Sequence, residues 1–255
     1  MDNIFEWCGC TWKSQMDGGR IIHPEHPYYW YSDGDVIQAD KSNTLELFVK
    51  KNPKEVKHWN GTIYHPQYEA ATMRSVEKFG YGTFSCEMMM PTGKNISASF
   101  WLSGCGNWPP EIDIEEGFAE EKGTWFRWTE AYFPWFKPSW RTTTNVHYRD
   151  DNMVKTHVGS RNISYFKQSK DPAQTFIEYK CRWEPNKITF YANGKVVRTV
   201  SGKVCRQMTQ NITDPEKGWE MNVIFNVWLK GDPERDKVDM VHPMLIRNFV
   251  YEPLK

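Results

Sequence analysis

No stretch of this 255-residue chain is apolar for long enough to span a bilayer. The opening residues, MDNIFEWCGC, have no basic segment followed by an apolar core, so they do not read as a secretion leader. Two expectations follow: the protein stays inside the cell, or it is a mature secreted or periplasmic domain whose leader has been removed. Net charge is absent too, with 32 Lys and Arg balancing 32 Asp and Glu. No global field therefore draws the chain to nucleic acid or to an anionic membrane, and the expected partners include neither. The six cysteines, Cys8, Cys10, Cys86, Cys105, Cys181 and Cys205, lack the paired C-x-x-C spacing of a zinc site. They read as buried small hydrophobes, with one or two disulfides if the protein is secreted. Four Asn-x-Ser/Thr sequons, at Asn60, Asn95, Asn162 and Asn211, are too few to speak for a compartment. Internal repeats, low-complexity tracts and linkers are missing, which predicts one domain over residues 1–255. A helical period sustained over three turns is missing as well, which argues against a helical fold.

Aromatic residues are plentiful: 13 Trp, 12 Tyr and 14 Phe. Large rings fill cores, but a Trp face also suits stacking on a sugar ring. The local pattern is short alternating segments between turn residues, as in LELFVKK, YGTFSCEMMM, SASFWLS, TTNVHY, TFIEYKCRW and EMNVIFNVWL. In KITFYANGKVVRTV two such runs flank Asn193-Gly194, a pair that accepts the positive φ angles of a tight type I′ turn. The predicted fold is all-β, two antiparallel sheets stacked as a sandwich or jelly roll. The segment from Gly117 to Pro138 is too aromatic for a solvated loop and too irregular for one strand, and it reads as a wall of a cleft.

The chemistry concentrates in WPPEIDIEEGF, residues 108–118, with four carboxylates in six positions. On an extended strand Glu111, Asp113 and Glu115 share one face and Ile112 and Ile114 the other. A sheet packed on one side and lining a cleft on the other needs this division; a merely solvated acidic strand would show it too. Hydrolysis of a glycosidic bond with retention needs two carboxyls about 5 to 5.5 Å apart, one as nucleophile and one as acid then base. Two Glu four residues apart lie about 13 Å apart at the α-carbons, a gap their side chains can narrow. An Asp between them can hold their proton affinities apart.

These residues resemble the active-site strand of glycoside hydrolase family 16, jelly-roll (concanavalin A-like) enzymes that cleave internal β-linkages in laminarin, mixed-linkage glucans, agarose and carrageenan. FGYGTFSCEMMMPTGKNISASFWLSG resembles the approach to that site. NVHYRD, FIEYKCRWEPNKITFYANGKVVR and MNVIFNVWLKGD resemble its later strands in the same order, so the likeness runs from about Leu45 onward. It implies Glu111 as nucleophile, Asp113 as its assistant and the last Glu of E-x-D-x-E or E-x-D-x-x-E as acid/base. This sequence fits both forms. With regular pleating Glu115 joins the cleft; with a β-bulge Glu116 does, and the continuation EGF resembles the bulged, laminarinase-like branch. Either register leaves one carboxylate to find a basic partner, an edge or a proton.

Around the strand, Trp101, Trp108, Trp128 and Trp135 are candidate sugar platforms, Trp108 foremost; Trp125 and Trp140 lie nearby, and core packing is the rival role for each. His147 resembles a site neighbour, with a structural histidine as the alternative. Arg74 and Asn226 are candidates for polar substrate contacts, against ordinary structural hydrogen bonds. Arg127, Lys137, Arg141 and Arg149 would suit sulfate esters on a galactan or simply neutralise the acids. Many family members hold calcium near the C-terminal strand, but PMLIRNFVYEP has Ile246-Arg247 where the acidic ligand is sought, so no metal and no organic cofactor is expected. The reading is a monomeric retaining endo-β-glycanase acting on a β-1,3/1,4-glucan or a β-galactan such as agarose, porphyran or carrageenan. Transglycosylation on the same scaffold, or carbohydrate binding without turnover, are the alternatives; a pure binder should lack one of the two carboxylates.

Overall fold

The computed structural model describes residues 4–14, 27–31, 37–39, 42–104, 106–118, 141–159, 161–162, 172–229 and 238–255. Among these, strands dominate, and most of them form the two expected stacked sheets. The front sheet has nine strands, in the order Ile4–Trp7, Cys10–Lys13, Thr72–Ser75, Asn222–Leu229, Ile96–Ser103, Glu111–Phe118, Arg141–Arg149 and Lys155–His157, with Arg161–Asn162 also paired to Arg141–Arg149. The rear sheet has seven, in the order Lys195–Ser201, Lys187–Ala192, Ile177–Glu184, Gly82–Met89, Met244–Pro253, Leu45–Leu47 and Ile37–Ala39. All pairings within these sheets are antiparallel.

Alternation explains the stacking. Along Gly82–Met89 the side chains of Phe84, Cys86 and Met88 are buried while their neighbours are half-buried, and Ile177–Glu184 alternates the same way with Tyr179, Cys181 and Trp183 inward. They meet Ala98, Phe100, Leu102, Ile112, Val146, Val223, Phe225 and Val227 of the front sheet in one continuous core. Phe100 and Phe225 stack at 4.5 Å between centroids, and Phe249 of the rear sheet meets Trp12 edge-on at 5.4 Å. Much of the aromatic excess is thus core. The Asn193-Gly194 turn forms as expected, with φ of 47° and 74°.

Two local readings needed adjustment. LELFVKK is not one strand: Leu45–Leu47 joins the rear sheet, while Val49–Lys51 joins a three-stranded sheet with Tyr68–Ala70 and Tyr29–Tyr31. Backbone alternation alone cannot report the break at Phe48, because both pieces bury alternate residues. KVCRQMTQ, residues 203–210, is an α-helix of only two turns, below the length at which periodicity is legible. Gly117 to Pro138, read as a cleft wall, lies outside the described residues beyond Phe118.

The register of the acidic strand decides what faces where. Its partner Ile96–Ser103 pairs Ser103 with Glu111, Leu102 with Ile112 and Trp101 with Asp113, then Phe100 with Glu115 and Ser99 with Glu116. On the other flank Asp113 pairs with Asn145 and Glu116 with Thr143, so Ile114 and Glu115 together oppose Thr144. That is a β-bulge of one extra residue. Directly paired residues point to the same side, so Glu111, Asp113 and Glu116 share the outer face with Ser103, Trp101 and Ser99, whereas Glu115 sides with Phe100 in the core.

Candidate active site

The outer face of the front sheet carries rows of polar and aromatic side chains. One row runs Asn222, Ser103, Glu111, His147, His157 across five paired strands; the next runs Arg74, Ile224, Trp101, Asp113, Asn145; the third runs Thr72, Asn226, Ser99, Glu116, Thr143. The three acids sit in successive rows of one strand.

Glu111 is held from two sides. Trp108 Nε1 donates to its Oε2 at 2.7 Å, and His147 Nε2 lies 3.3 Å from its Oε1. The same imidazole nitrogen lies 3.4 Å from Asp113 Oδ2. Asn145 stands behind this group: its Oδ1 accepts from the Val146 N–H at 2.9 Å, which leaves Nδ2 facing His147 Nε2 at 3.1 Å. Burial pushes the Glu111 carboxyl well above the ordinary carboxylate range, the Asp113 charge adds to the rise, the Trp108 N–H works against it, and Glu116 raises it further. Burial and the neighbouring Asp113 charge thus both favour the protonated form of Glu111.

The tryptophan that grips Glu111 is itself fixed by the loop that bears it. Asn107 is buried and fully bonded, its Nδ2 donating to Asp214 O and Gly218 O at 2.6 and 2.9 Å and its Oδ1 accepting from Asp214 N and Thr213 Oγ1 at 2.7 and 2.9 Å. Arg149 Nη2 donates to Trp108 O at 3.0 Å, and Lys155 Nζ lies 4.5 Å over the Trp108 ring. Arg149, considered above for the acids or for sulfate, thus serves the tryptophan loop.

Glu115 has a different environment. It is fully buried, and neither carboxyl oxygen has a hydrogen-bond partner among the described residues. Burial raises its pKa well above the usual range, with the Glu116 charge adding to the shift. Its carboxyl folds over Gly117, where an added Cβ would stand 2.7 Å from Oε1 and 2.1 Å from Met90 Cε. The glycine makes the room that the inward glutamate occupies.

Trp101 is half-buried and donates from Nε1 to Asn226 Oδ1 at 2.8 Å, and Asn226 Nδ2 donates on to Tyr31 Oη at 3.2 Å. Trp228 points Nε1 to Ser99 Oγ at 3.4 Å. Arg74 is buried and spends an N–H on Asn222 Oδ1 at 3.1 Å. The structure thus brings Glu111, Asp113, Glu116, Trp101, Trp108, His147 and Asn226 onto one face, with Arg74 sunk beneath it. Trp125, Trp128, Trp135, Trp140, Arg127 and Lys137 lie outside the described residues, as does the side chain of Arg141. Sequence reasoning missed Asn107, Asn145, His157 and Lys155; Asn145 was detectable as the residue two before His147 on the same strand face. On the rear sheet Arg247 Nε donates to Glu87 Oε2 at 2.6 Å and its guanidinium lies over Phe176. A fixed cation does not suit a calcium site there.

Comparison with known proteins matches residues 25–242 to Glycosyl hydrolases family 16. A galactan endo-β-1,3-galactanase from Flammulina velutipes is 30% identical over 97 residues, which is 38% of this chain and only 36% of the galactanase's length. The catalytic domain of an endo-1,3-β-glucanase (laminarinase) from Thermotoga petrophila superposes with a TM-score of 0.60 at 17% identity, covering 89% of this chain and 84% of that one. Porphyranase B from Zobellia galactanivorans gives 0.62 at 15% identity, covering 94% and 84%. These likenesses confirm the jelly-roll fold.

Two outcomes test this geometry. Replacing Glu115 by Met removes a buried carboxyl without leaving a cavity, and should be neutral or stabilising by about 1–3 kcal/mol at neutral pH. Because the raised Glu115 pKa makes the folded state hold a proton that the unfolded chain has lost, its stability contribution falls as pH rises above the ordinary carboxylate range; the variant's urea midpoint should decline less between pH 5 and 8 than that of wild type. A steeper decline would contradict the buried, unpaired placement. Trp108→Phe removes a bond that favours the Glu111 carboxylate, so the acidic limb of the kcat/KM profile should move to higher pH, and an unmoved limb would dissociate Trp108 from Glu111.

Proposed function

The chain belongs to glycosyl hydrolase family 16, and from the geometry of its acidic strand we propose that it cleaves internal β-linkages of a polysaccharide with retention. The observation that carries this is the bulge, which puts Glu111, Asp113 and Glu116 on one face and turns Glu115 away.

In the proposed reaction Glu111 acts in its carboxylate form, steadied at Oε2 by Trp108, and attacks the anomeric carbon. As the bond from that carbon to the bridging oxygen breaks, the protonated Glu116 gives its proton to the leaving oxygen. In the second half Glu116, now a carboxylate, takes a proton from water; the water oxygen attacks the same carbon, and the bond to Glu111 breaks. The bulge absorbs one of the five steps between Glu111 and Glu116, so their α-carbons are spaced about as two residues four apart in a regular strand, about 13 Å. Asp113 between them orients Glu111 and tunes its charge, and His147 lies against both Glu111 and Asp113. Trp101 offers a half-exposed ring beside Asp113 for a sugar face, anchored through Asn226.

The substrate class is a neutral or sulfated β-glycan, glucan or galactan. A panel of laminarin, mixed-linkage glucan, β-1,3-galactan, agarose, porphyran and carrageenan, assayed for new reducing ends, tests the proposal with wild type, Glu111→Gln, Glu115→Gln and Glu116→Gln. Wild type should act on at least one polymer. Glu111→Gln and Glu116→Gln should each lose at least about 10²-fold in kcat, while Glu115→Gln retains most of it. Loss in Glu115→Gln with retention in Glu116→Gln would reverse the assigned roles.

A further inference from the structure

Glu111 Oε1, Asp113 Oδ2 and His147 Nε2 all lie within 4.8 Å of one another. The two contacts to the imidazole, 3.3 and 3.4 Å, are long for charge-assisted hydrogen bonds, which run about 2.7–2.9 Å. They do match another geometry. Two ligand atoms on one tetrahedral zinc ion, each bonded at about 2.0–2.2 Å, stand roughly 3.3–3.5 Å apart.

The surrounding side chains fix the imidazole in place. Asn145 Oδ1 accepts from the Val146 N–H, and its Nδ2 lies 3.1 Å from His147 Nε2, which helps fix where the imidazole stands. One imidazole nitrogen and two carboxylate oxygens therefore cluster together. The three residues are held on directly paired strands, Glu111 opposite His147 and Asp113 opposite Asn145, so the arrangement is prepared in advance. His157 stands opposite His147 on the next strand, exposed, with ring centroids 5.5 Å apart. Rotation of its side chain can supply a fourth ligand, and water can do so otherwise. An imidazole with two carboxylates suits zinc or copper better than calcium or magnesium, whose preferred ligand shells are all oxygen.

We propose that Glu111, Asp113 and His147 form a binding site for a divalent transition metal ion such as Zn²⁺, and that its occupancy inhibits the enzyme. The metal takes the Glu111 lone pair that would otherwise attack the anomeric carbon, and substrate and metal exclude each other. Binding is independent of the hydrolase reading; the inhibitory consequence rests on it.

Isothermal titration of the untagged, EDTA-treated chain with ZnCl₂, MgCl₂ and CaCl₂ tests the site directly. Zn²⁺ should bind at about one ion per chain, with at least about tenfold weaker affinity in each of His147→Gln and Asp113→Asn, both checked for native circular dichroism, and with no heat from Mg²⁺ or Ca²⁺. Inhibition should follow the same affinity, compete with polysaccharide and reverse with EDTA. Absence of Zn²⁺ binding to wild type, or undiminished binding in both variants, would overturn the site. Binding without competition against substrate would overturn the inhibitory role. If no polymer in the panel is cleaved, the calorimetry still decides the metal site, and only the hydrolase reading fails.

Discussion

One residue too many in one strand governs the active face of this protein. A strand without the bulge at Ile114 would alternate strictly, and the fourth acid of the segment would turn to the core while the third faced outward. The bulge reverses that order after Asp113 without disturbing the alternation before it. Its cost is a carboxyl buried beside Phe100, Met90 and Gly117, where desolvation raises its pKa. The chain has room for it because Gly117 has no side chain to compete for the space.

The outward acids have the opposite problem, since they crowd each other. Among the described residues, Arg149 and Lys155 engage Trp108. An indole N–H and an imidazole lie against Glu111, and the imidazole against Asp113 as well. Neutral or switchable groups hold a carboxylate in place without quenching its nucleophilicity, whereas a guanidinium bonded to the same oxygens would lower it. This choice also leaves an electron-rich point between Glu111, Asp113 and His147 that attracts a small cation.

Much of this was legible in the sequence. Alternation placed Glu111 and Asp113 on the outer face and Ile112 on the inner one, and the Asn193-Gly194 turn was readable from its residue types alone. The choice between Glu115 and Glu116 was not readable from the strand itself, because EIDIEE satisfies both registers and the deciding information is the pairing with Phe100 and Ser99. The supports were hidden for a different reason. Asn107 meets a segment 107 residues downstream, and Asn226 meets a tyrosine 195 residues upstream. Side-chain bonds over such distances leave no periodic trace, and an asparagine in a loop reads as a turn former until its partners are known.

The fourfold engagement of Asn107 has a consequence for how this scaffold can diversify. It knits the segment before the acidic strand to residues 213–218, so two loops remote in sequence behave as a single cassette. Either loop exchanged alone would strand an amide in the interior and release the indole that steadies the nucleophile. Recombination among relatives would therefore preserve catalysis only where both loops travel together.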